Sequence, residues 1–286
     1  MKGMSKSRIG YTNELVPWYY AVNFGGFGCS GGCPGCWSRG MCHRAKCEKC
    51  RAFEVHLHPE RLGQPKNTKK PGVVLCNFTC DTFDKKRPGW EIRAVLRAMD
   101  AAPWHNYVLL TQQPDNMAPS DVEPTNRWAG LTIRNQDDAD NGLDTFSCID
   151  GNLWLSLEPL QEDVRMKGWL RATKFRGAII GHDNRKGAPG TETLEHVRSV
   201  VQQCRAAGVN VYVKQIFLWQ CPKCGATDDS TMVETGCVSC GAHECNLGTL
   251  KQKLCKDVAD FPPDLQYRNL PWSMPEAARP QEARHD

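Results

Sequence analysis

Cysteine constrains this chain more than any other residue: sixteen of its 286 positions are cysteine, and most fall in two blocks. Six lie between Cys29 and Cys50, four between Cys221 and Cys240, and Cys245 and Cys255 follow the second block. The start of the chain, Met1-Lys2-Gly3-Met4-Ser5-Lys6-Ser7-Arg8, has no apolar stretch of the kind a signal peptide carries. The thiols are therefore expected in the reducing cytoplasm, where they bind metal rather than pair as disulfides. Cys76, Cys80, Cys148 and Cys204 are scattered and read as small buried hydrophobes. No apolar run approaches the ~20 residues that span a bilayer, so no membrane association is expected.

The net charge of +4 conceals an uneven distribution. Residues 1–87 carry fifteen Lys/Arg against six Asp/Glu, whereas residues 115–165 carry eleven acids against three bases. A basic N-terminal third points to a polyanionic partner such as nucleic acid, with a solvated, locally compensated surface as the alternative.

Short apolar runs at Tyr19–Phe24, Val73–Phe78, Tyr107–Thr111, Trp128–Ile133, Leu153–Leu157, Ala178–Gly181 and Val209–Lys214 read as strands. Most are continuous rather than alternating, as in parallel strands covered on both faces. Helices are predicted over residues 90–101 and 192–207, the second with Thr191 as N-cap and Gly208 just past its end. Strands alternating with helices imply an α/β fold with a parallel sheet, and six or seven of them suit a full or partial TIM-type barrel. The expected organisation is a barrel over residues 1–219 with a Cys-rich insert at 42–50, a zinc-ribbon module at 220–256, and a tail at 257–286 running irregularly over the surface.

After the first strand the chain reads Gly25-Gly26-Phe27-Gly28-Cys29-Ser30-Gly31-Gly32-Cys33-Pro34-Gly35-Cys36-Trp37. Three thiolates on a glycine-rich loop can wrap one inorganic centre. Three ligands to a four-iron cube leave one iron open for a small molecule, whereas structural zinc normally takes four ligands. This C-x3-C-x2-C spacing resembles the signature of the radical S-adenosylmethionine (SAM) superfamily. That resemblance implies a 4Fe–4S cluster on Cys29, Cys33 and Cys36, SAM bound at the open iron, and reductive cleavage of SAM to a 5′-deoxyadenosyl radical. One departure is Gly35 where an aromatic residue commonly precedes the third cysteine; Trp37 follows instead.

Further stretches resemble a phage and bacterial family of uncharacterised proteins with a three-cysteine motif and a radical-SAM-like barrel. They are Phe53-Glu54-Val55-His56-Leu57-His58-Pro59-Glu60-Arg61-Leu62, Asn77-Phe78-Thr79-Cys80-Asp81-Thr82-Phe83, Leu109-Leu110-Thr111, Leu155-Ser156-Leu157-Glu158-Pro159-Leu160, Ala178-Ile179-Ile180-Gly181 and Val213-Lys214-Gln215. Relatives tend to have Gly-Gly-Glu where this chain has Gly181-His182-Asp183. Asp81, Thr111, Glu158, His182 and Lys214 fall at or just past predicted strand ends, the rim where barrel active sites assemble. By analogy Asp81 is a candidate for the SAM amino group, Ser156 and Glu158 for the ribose hydroxyls, and Gly181, within a G-x-I-x-G element, for the adenine; His182 and Lys214 complete the cofactor set.

Cys42, Cys47 and Cys50 form C-x4-C-x2-C, with His43, His56 or His58 available as a fourth ligand, for zinc or an auxiliary cluster. Cys221-Pro222-Lys223-Cys224 and Cys237-Val238-Ser239-Cys240 are paired knuckles with zinc-ribbon spacing, and Cys245 and Cys255 are spares. The nearby Lys223, Lys251, Lys253 and Lys256 suit solvent or phosphate equally. The reading that joins these features is a radical SAM enzyme, an isomerase by preference, acting on a modified pyrimidine in DNA within a phage-infected bacterial cytoplasm. It would take electrons from a reductase or flavodoxin-type donor. Two alternatives stay open: a zinc-stabilised nucleic-acid-binding protein without redox chemistry, and a barrel base-exchange enzyme with Asp81 or Glu158 as nucleophile.

Overall fold

The computed structural model describes residues 3–7, 19–172, 175–183, 194–228, 237, 239–241 and 251–272. Along the chain run β1 (Ser5–Lys6), β2 (Tyr19–Val22), the short helices α1 (Trp37–Met41), α2 (Glu48–Arg51) and α3 (Gln64–Asn67), then β3 (Val73–Cys76) and α4 (Gly89–Asp100). There follow β4 (Asn106–Thr111), β5 (Arg127–Thr132), α5 (Gln136–Ser147), β6 (Asn152–Leu157), α6 (Lys167–Ala172), β7 (Gly177–Gly181) and α7 (Leu194–Ala206). The chain continues through β8 (Asn210–Gln220), β9 (Thr227–Asp228) and β10 (Lys251–Cys255). All seven expected strands form. Thr191 lies outside the described residues.

The strands make one sheet in sequence order from β1 to β8, with β10 beyond β8 and β9 also on β8. Every pair from β2 to β8 is parallel. The antiparallel additions are β1, β9 and β10. Among the described residues β8 does not pair with β2, so this mixed α/β fold is a partial, TIM-like barrel. No helix among the described residues is long and apolar enough to cross a membrane.

Both faces of the strands are apolar because both are covered, as the uninterrupted runs imply. On one face Val74 and Cys76 of β3 pack against Ile92, Val95 and Met99 of α4. Ala178, Ile180, Val211 and Val213 meet Val197, Val200, Val201 and Cys204 of α7. On the other face one residue or more from each of β2 to β8 converges: Tyr19, Val73, Leu75, Val108, Trp128, Trp154, Ile179 and Tyr212. Trp154 fills this interior by lying across β5 at Gly130, where an added Cβ would sit 2.3 Å from the indole. Cys76, Cys80 and Cys204 are buried as expected, but Cys148 is exposed, past the end of α5.

Helix α5 was not anticipated. Asn135 caps it by accepting from the Asp138 amide at 2.9 Å, and Asp137 and Asp138 occupy its first turn. Part of the acidic middle is thus the negative start of one helix.

Two segments depart from the expected organisation. Strand β8 runs unbroken to Gln220, and β10 pairs with it from Ile216 to Gln220, so the cysteine-rich segment continues the sheet. The described part of the tail, to Trp272, enters the interior rather than running over the surface: Arg268 bridges to Tyr212, and Trp272 is buried in the interior cluster. The Trp272 indole meets Trp154 edge-on at 5.2 Å and donates from Nε1 to the Tyr19 hydroxyl at 3.0 Å. Pro271 lies against Gly177, the first residue of β7. The tail therefore plugs the N-terminal end of the barrel. Trp272→Ala is expected to cost about 3–5 kcal/mol in chemical denaturation, as for other buried tryptophans; an unchanged midpoint would place the tail outside the core.

Candidate active site

With one end plugged, the open end is the rim formed by the C-terminal ends of the parallel strands, and the first strand delivers the cysteine loop to it. Leaving β2, the chain crosses between the sheet and the segment that follows α2. At Gly28 it passes so close that a Cβ would lie 1.9 Å from the Glu54 carbonyl oxygen, with φ +146. Only glycine fits there. Gly28 also bridges to Cys80, past the end of β3.

Asp84 then clasps the loop. One of its carboxylate oxygens accepts from the Ser30 amide at 2.5 Å and the other from the Ser30 hydroxyl at 2.8 Å. Burial pushes the Asp84 carboxyl up, but the hydrogen bonds from Ser30 and Lys86 outweigh it and hold the group below its ordinary value. Ser30 lies between the first two cysteines, so this clasp sets where they stand.

Cys29, Cys33 and Cys36 are half-buried and line one side of a cavity of about 230 Å³. Asp81, Gln112, Arg134 and Glu158 stand on its other walls. A second cavity of about 530 Å³ adjoins it, sharing Gln112, Thr132 and Arg134. Cys33 donates from Sγ to Gln112 Oε1 at 3.0 Å, and the Gly31 amide donates to Cys29 Sγ at 3.2 Å. Burial, with Asp81 and Asp84 nearby, pushes the Cys29 thiol up to about 12.

Three thiols are one ligand fewer than a structural zinc normally takes. Around one tetrahedral ion sulfurs stand about 3.8 Å apart, given metal–sulfur bonds of about 2.3 Å. Among the described residues two groups of ligand atoms lie within 4.8 Å of one another, and these three thiols are in neither. Gly31 keeps the inner face bare: a Cβ there would come 3.3 Å from Cys29 Sγ and 3.7 Å from Cys33 Sγ. Cys80 reaches the same cavity, but its sulfur is packed beneath Gly25.

Of the expected cofactor contacts, Asp81 and Glu158 reach the cavity wall, whereas Ser156, Gly181, His182 and Lys214 do not line it. Asp81 accepts from the Phe83 amide at 2.9 Å, the Thr111 hydroxyl at 2.9 Å and the Gln112 amide at 3.0 Å. It ties the end of β3 to β4, and burial raises its carboxyl to about 6 despite those donors. Glu158 accepts through Oε1 from Lys214 Nζ at 2.5 Å and from Gln215 Nε2 at 2.9 Å. Lys214 thus pairs with Glu158. His182 is buried; its Nδ1 accepts from the Phe217 amide at 2.9 Å and its ring stacks on Phe217, joining β7 to β8. Ser156 is buried on β6, and Gly181 lies 3.3 Å from Gln215 Nε2 by its virtual Cβ.

Sequence reasoning missed Asp84, Gln112 and Arg134. Arg134 holds Asp138 with two hydrogen bonds, at 2.7 and 2.9 Å, at the cavity edge. The one available signal was the pair of acids in Asp81-Thr82-Phe83-Asp84, in the loop that follows a strand.

At the far end of β8, Cys221 and Cys240 stand 3.9 Å apart and Cys224 and Cys237 3.6 Å apart, at the edges of a tetrahedron. Cys255 is buried in the main core rather than serving as a spare ligand, and Cys245 lies outside the described residues. In the insert, Cys47, Cys50, His56 and His58 form the other compact group. Cys42 is outside it, with its thiol on the Arg51 carbonyl at 3.5 Å, and His43 is not part of it either.

No curated protein matches the chain. Among solved structures, a spore photoproduct lyase variant with bound AdoMet and dinucleoside spore photoproduct is similar at 11% identity and a TM-score of 0.40, over 64% of this chain. The match spans 60% of that protein's length. The sequence model of a family described as "Protein of unknown function (DUF5131)" matches residues 6–231. That span is most of the chain, and the chain belongs to the DUF5131 family.

Proposed function

We propose that this protein is a radical SAM enzyme that holds a 4Fe–4S cluster on Cys29, Cys33 and Cys36. One observation carries the reading: three thiols, not all within 4.8 Å of one another, line a mainly apolar cavity that also holds Asp81, Gln112, Arg134 and Glu158, at the open mouth of a parallel barrel. When bound, the cluster and SAM together supply one-electron reductive cleavage of the sulfonium, giving a 5′-deoxyadenosyl radical.

The chain's own residues bind, orient and shield. Asp84 fixes the loop through Ser30, and the Gly31 amide donates to Cys29 Sγ, the kind of contact that tunes cluster potential. Glu158, held by Lys214 and Gln215, presents a carboxylate to the cavity for the hydroxyl or amino groups of SAM. Asp81 is already engaged by three donors and positions the β3 and β4 ends around the site. The plugged interior keeps water from entering through the floor.

The substrate in this reading is a base or modified pyrimidine in DNA, isomerised at the radical, with electrons from a reductase or flavodoxin-type donor in the cytoplasm. Its support is the basic N-terminal third together with Trp37, 54% exposed beside Cys36 on the cavity wall, where a base can stack. A base in duplex DNA would have to be flipped out to reach that mouth. The tetrad Cys221, Cys224, Cys237 and Cys240 is read as structural zinc.

Anaerobic purification with iron and sulfide analysis tests the reading. About four irons per chain are expected, lost in Cys29→Ala, Cys33→Ala or Cys36→Ala; a colourless, zinc-only protein after reconstitution would overturn it. Under dithionite the loaded protein should release 5′-deoxyadenosine from SAM, and an intact cluster that never cleaves SAM would exclude the enzyme. Asp84→Asn, which turns an acceptor toward a donor opposite the Ser30 amide, is expected to lower iron occupancy while zinc content is unchanged. Glu158→Gln should keep its iron but raise the KM for SAM.

A further inference from the structure

The insert holds a ligand set that spacing alone grouped differently. Cys47, Cys50, His56 and His58 each bring one donor atom to within 4.8 Å of the others. His56 Nε2 and His58 Nε2 are 3.0 Å apart, and Cys50 Sγ is 3.4 Å from the first and 3.3 Å from the second. Cys47 Sγ is 3.7 Å from His56 Nε2. A tetrahedral ion with metal–sulfur bonds of about 2.3 Å and metal–nitrogen bonds of about 2.0–2.1 Å has S···N edges of about 3.6 Å and an N···N edge of about 3.3 Å. The four atoms already stand near those corners.

The imidazole protons supply an independent observation. His56 Nδ1 lies 2.8 Å from the Glu54 carbonyl oxygen, which can only accept, so Nδ1 carries a proton and, in the neutral ring, Nε2 is a bare lone pair. His58 Nδ1 likewise faces Glu60 Oε1 at 2.7 Å. Both rings are buried, as is Cys50. With both rings neutral, two lone pairs 3.0 Å apart repel; a metal cation between them relieves this, as a single shared proton also does. A carbonyl or carboxylate behind each imidazole is also the usual support of metal-bound histidine. Two thiolates and two neutral imidazoles neutralise a divalent ion, so the filled site buries no net charge.

We propose that Cys47, Cys50, His56 and His58 form a closed structural site for one Zn²⁺, and that this site splints the glycine turn leading to Cys29. The splint is direct. The Phe27 amide donates to Cys50 Sγ at 3.4 Å, and the His58 amide donates to the Phe24 carbonyl at 2.7 Å. A Cβ on Gly26 would fall 2.6 Å from Cys50 Sγ. Four protein ligands leave no open position, which makes the ion structural rather than catalytic. The ligand pattern is C-x2-C-x5-H-x-H, with the two histidines two residues apart on an extended segment so that both rings face one side. Cys42 takes no part. The assignment does not require iron at Cys29.

The test uses the full chain with Cys29→Ala, Cys33→Ala and Cys36→Ala, so that no iron site remains, stripped and titrated with Zn²⁺ alone. About two equivalents are expected, one of them in the C-terminal tetrad, and zinc X-ray absorption should show imidazole nitrogen alongside sulfur. His56→Ala should remove one equivalent and the nitrogen signal, while Cys42→Ser leaves both unchanged. Should His56→Ala fail to fold, Glu60→Gln, behind His58, is expected to weaken that zinc by about 10–100-fold in chelator competition. A nitrogen-free spectrum, or zinc lost with Cys42→Ser and kept with Glu60→Gln at full affinity, would overturn the assignment. Hydrogen exchange at the Phe27 amide reads the splint: it should accelerate on zinc removal, and an unchanged rate would refute that role.

Discussion

The packing of Trp154 decides where everything else in this molecule can go. Its indole lies across Gly130 on one side and meets Trp272 edge-on at 5.2 Å on another. Together with Trp128, Tyr212 and Tyr19 it fills the curled interior of the parallel sheet with aromatic volume. A filled interior cannot hold a ligand, and among the described residues the two cavities that share Gln112, Thr132 and Arg134 lie above the last apolar layer, where the strands end. Asp81, Glu158 and the three cysteines gather at that mouth because the floor is closed.

Placing a loop over an open mouth leaves its backbone without a sheet or helix to satisfy it, and this chain answers with side chains. Asp84 accepts the Ser30 amide and hydroxyl from the sheet side. From the other side Cys50 accepts the Phe27 amide, and the Glu54 carbonyl presses against Gly28. The loop is thus gripped before and after Cys29. The rim behind it is tied strand to strand by charged or polar groups that are themselves satisfied: Asp81 with Thr111, Glu158 with Lys214 and Gln215, His182 with Phe217. These ties explain why so many polar residues can end apolar strands without leaving buried charge unpaired.

The parallel strands were legible because continuous apolar runs such as Val73–Cys76 and Gly177–Gly181 leave few other options for segments covered on both faces. Helix α5 was not, because Asp137, Asp138, Asn141 and Gly142 have poor helix propensity; tertiary burial of Ala139, Leu143 and Phe146 overrides it. The pairing of β10 with β8 was not legible for a related reason. Cysteine spacing signals a ligand set but says nothing of whether the strand before it stops, and here β10 pairs across the expected boundary. Trp272 was placed with a proline-rich tail, although a bulky aromatic is a poor fit to a solvated segment.

Chemistry-bearing residue types were fixed by the sequence alone: three thiols on a glycine loop, two paired cysteine knuckles, a cysteine- and histidine-rich insert, and acids at strand ends. Which of them share a site was decided only by the tertiary structure. Cys42 and Cys47 lie five residues apart, yet one turns to the Arg51 carbonyl and the other to His56. Asp84 and Ser30, more than fifty residues apart, meet because β2 and β3 are parallel neighbours whose loops leave from the same edge. Spacing governs ligands that one short loop can present. Partners across strands depend on sheet register and on which end of the barrel is closed, and both follow from long-range packing that no local window of sequence contains.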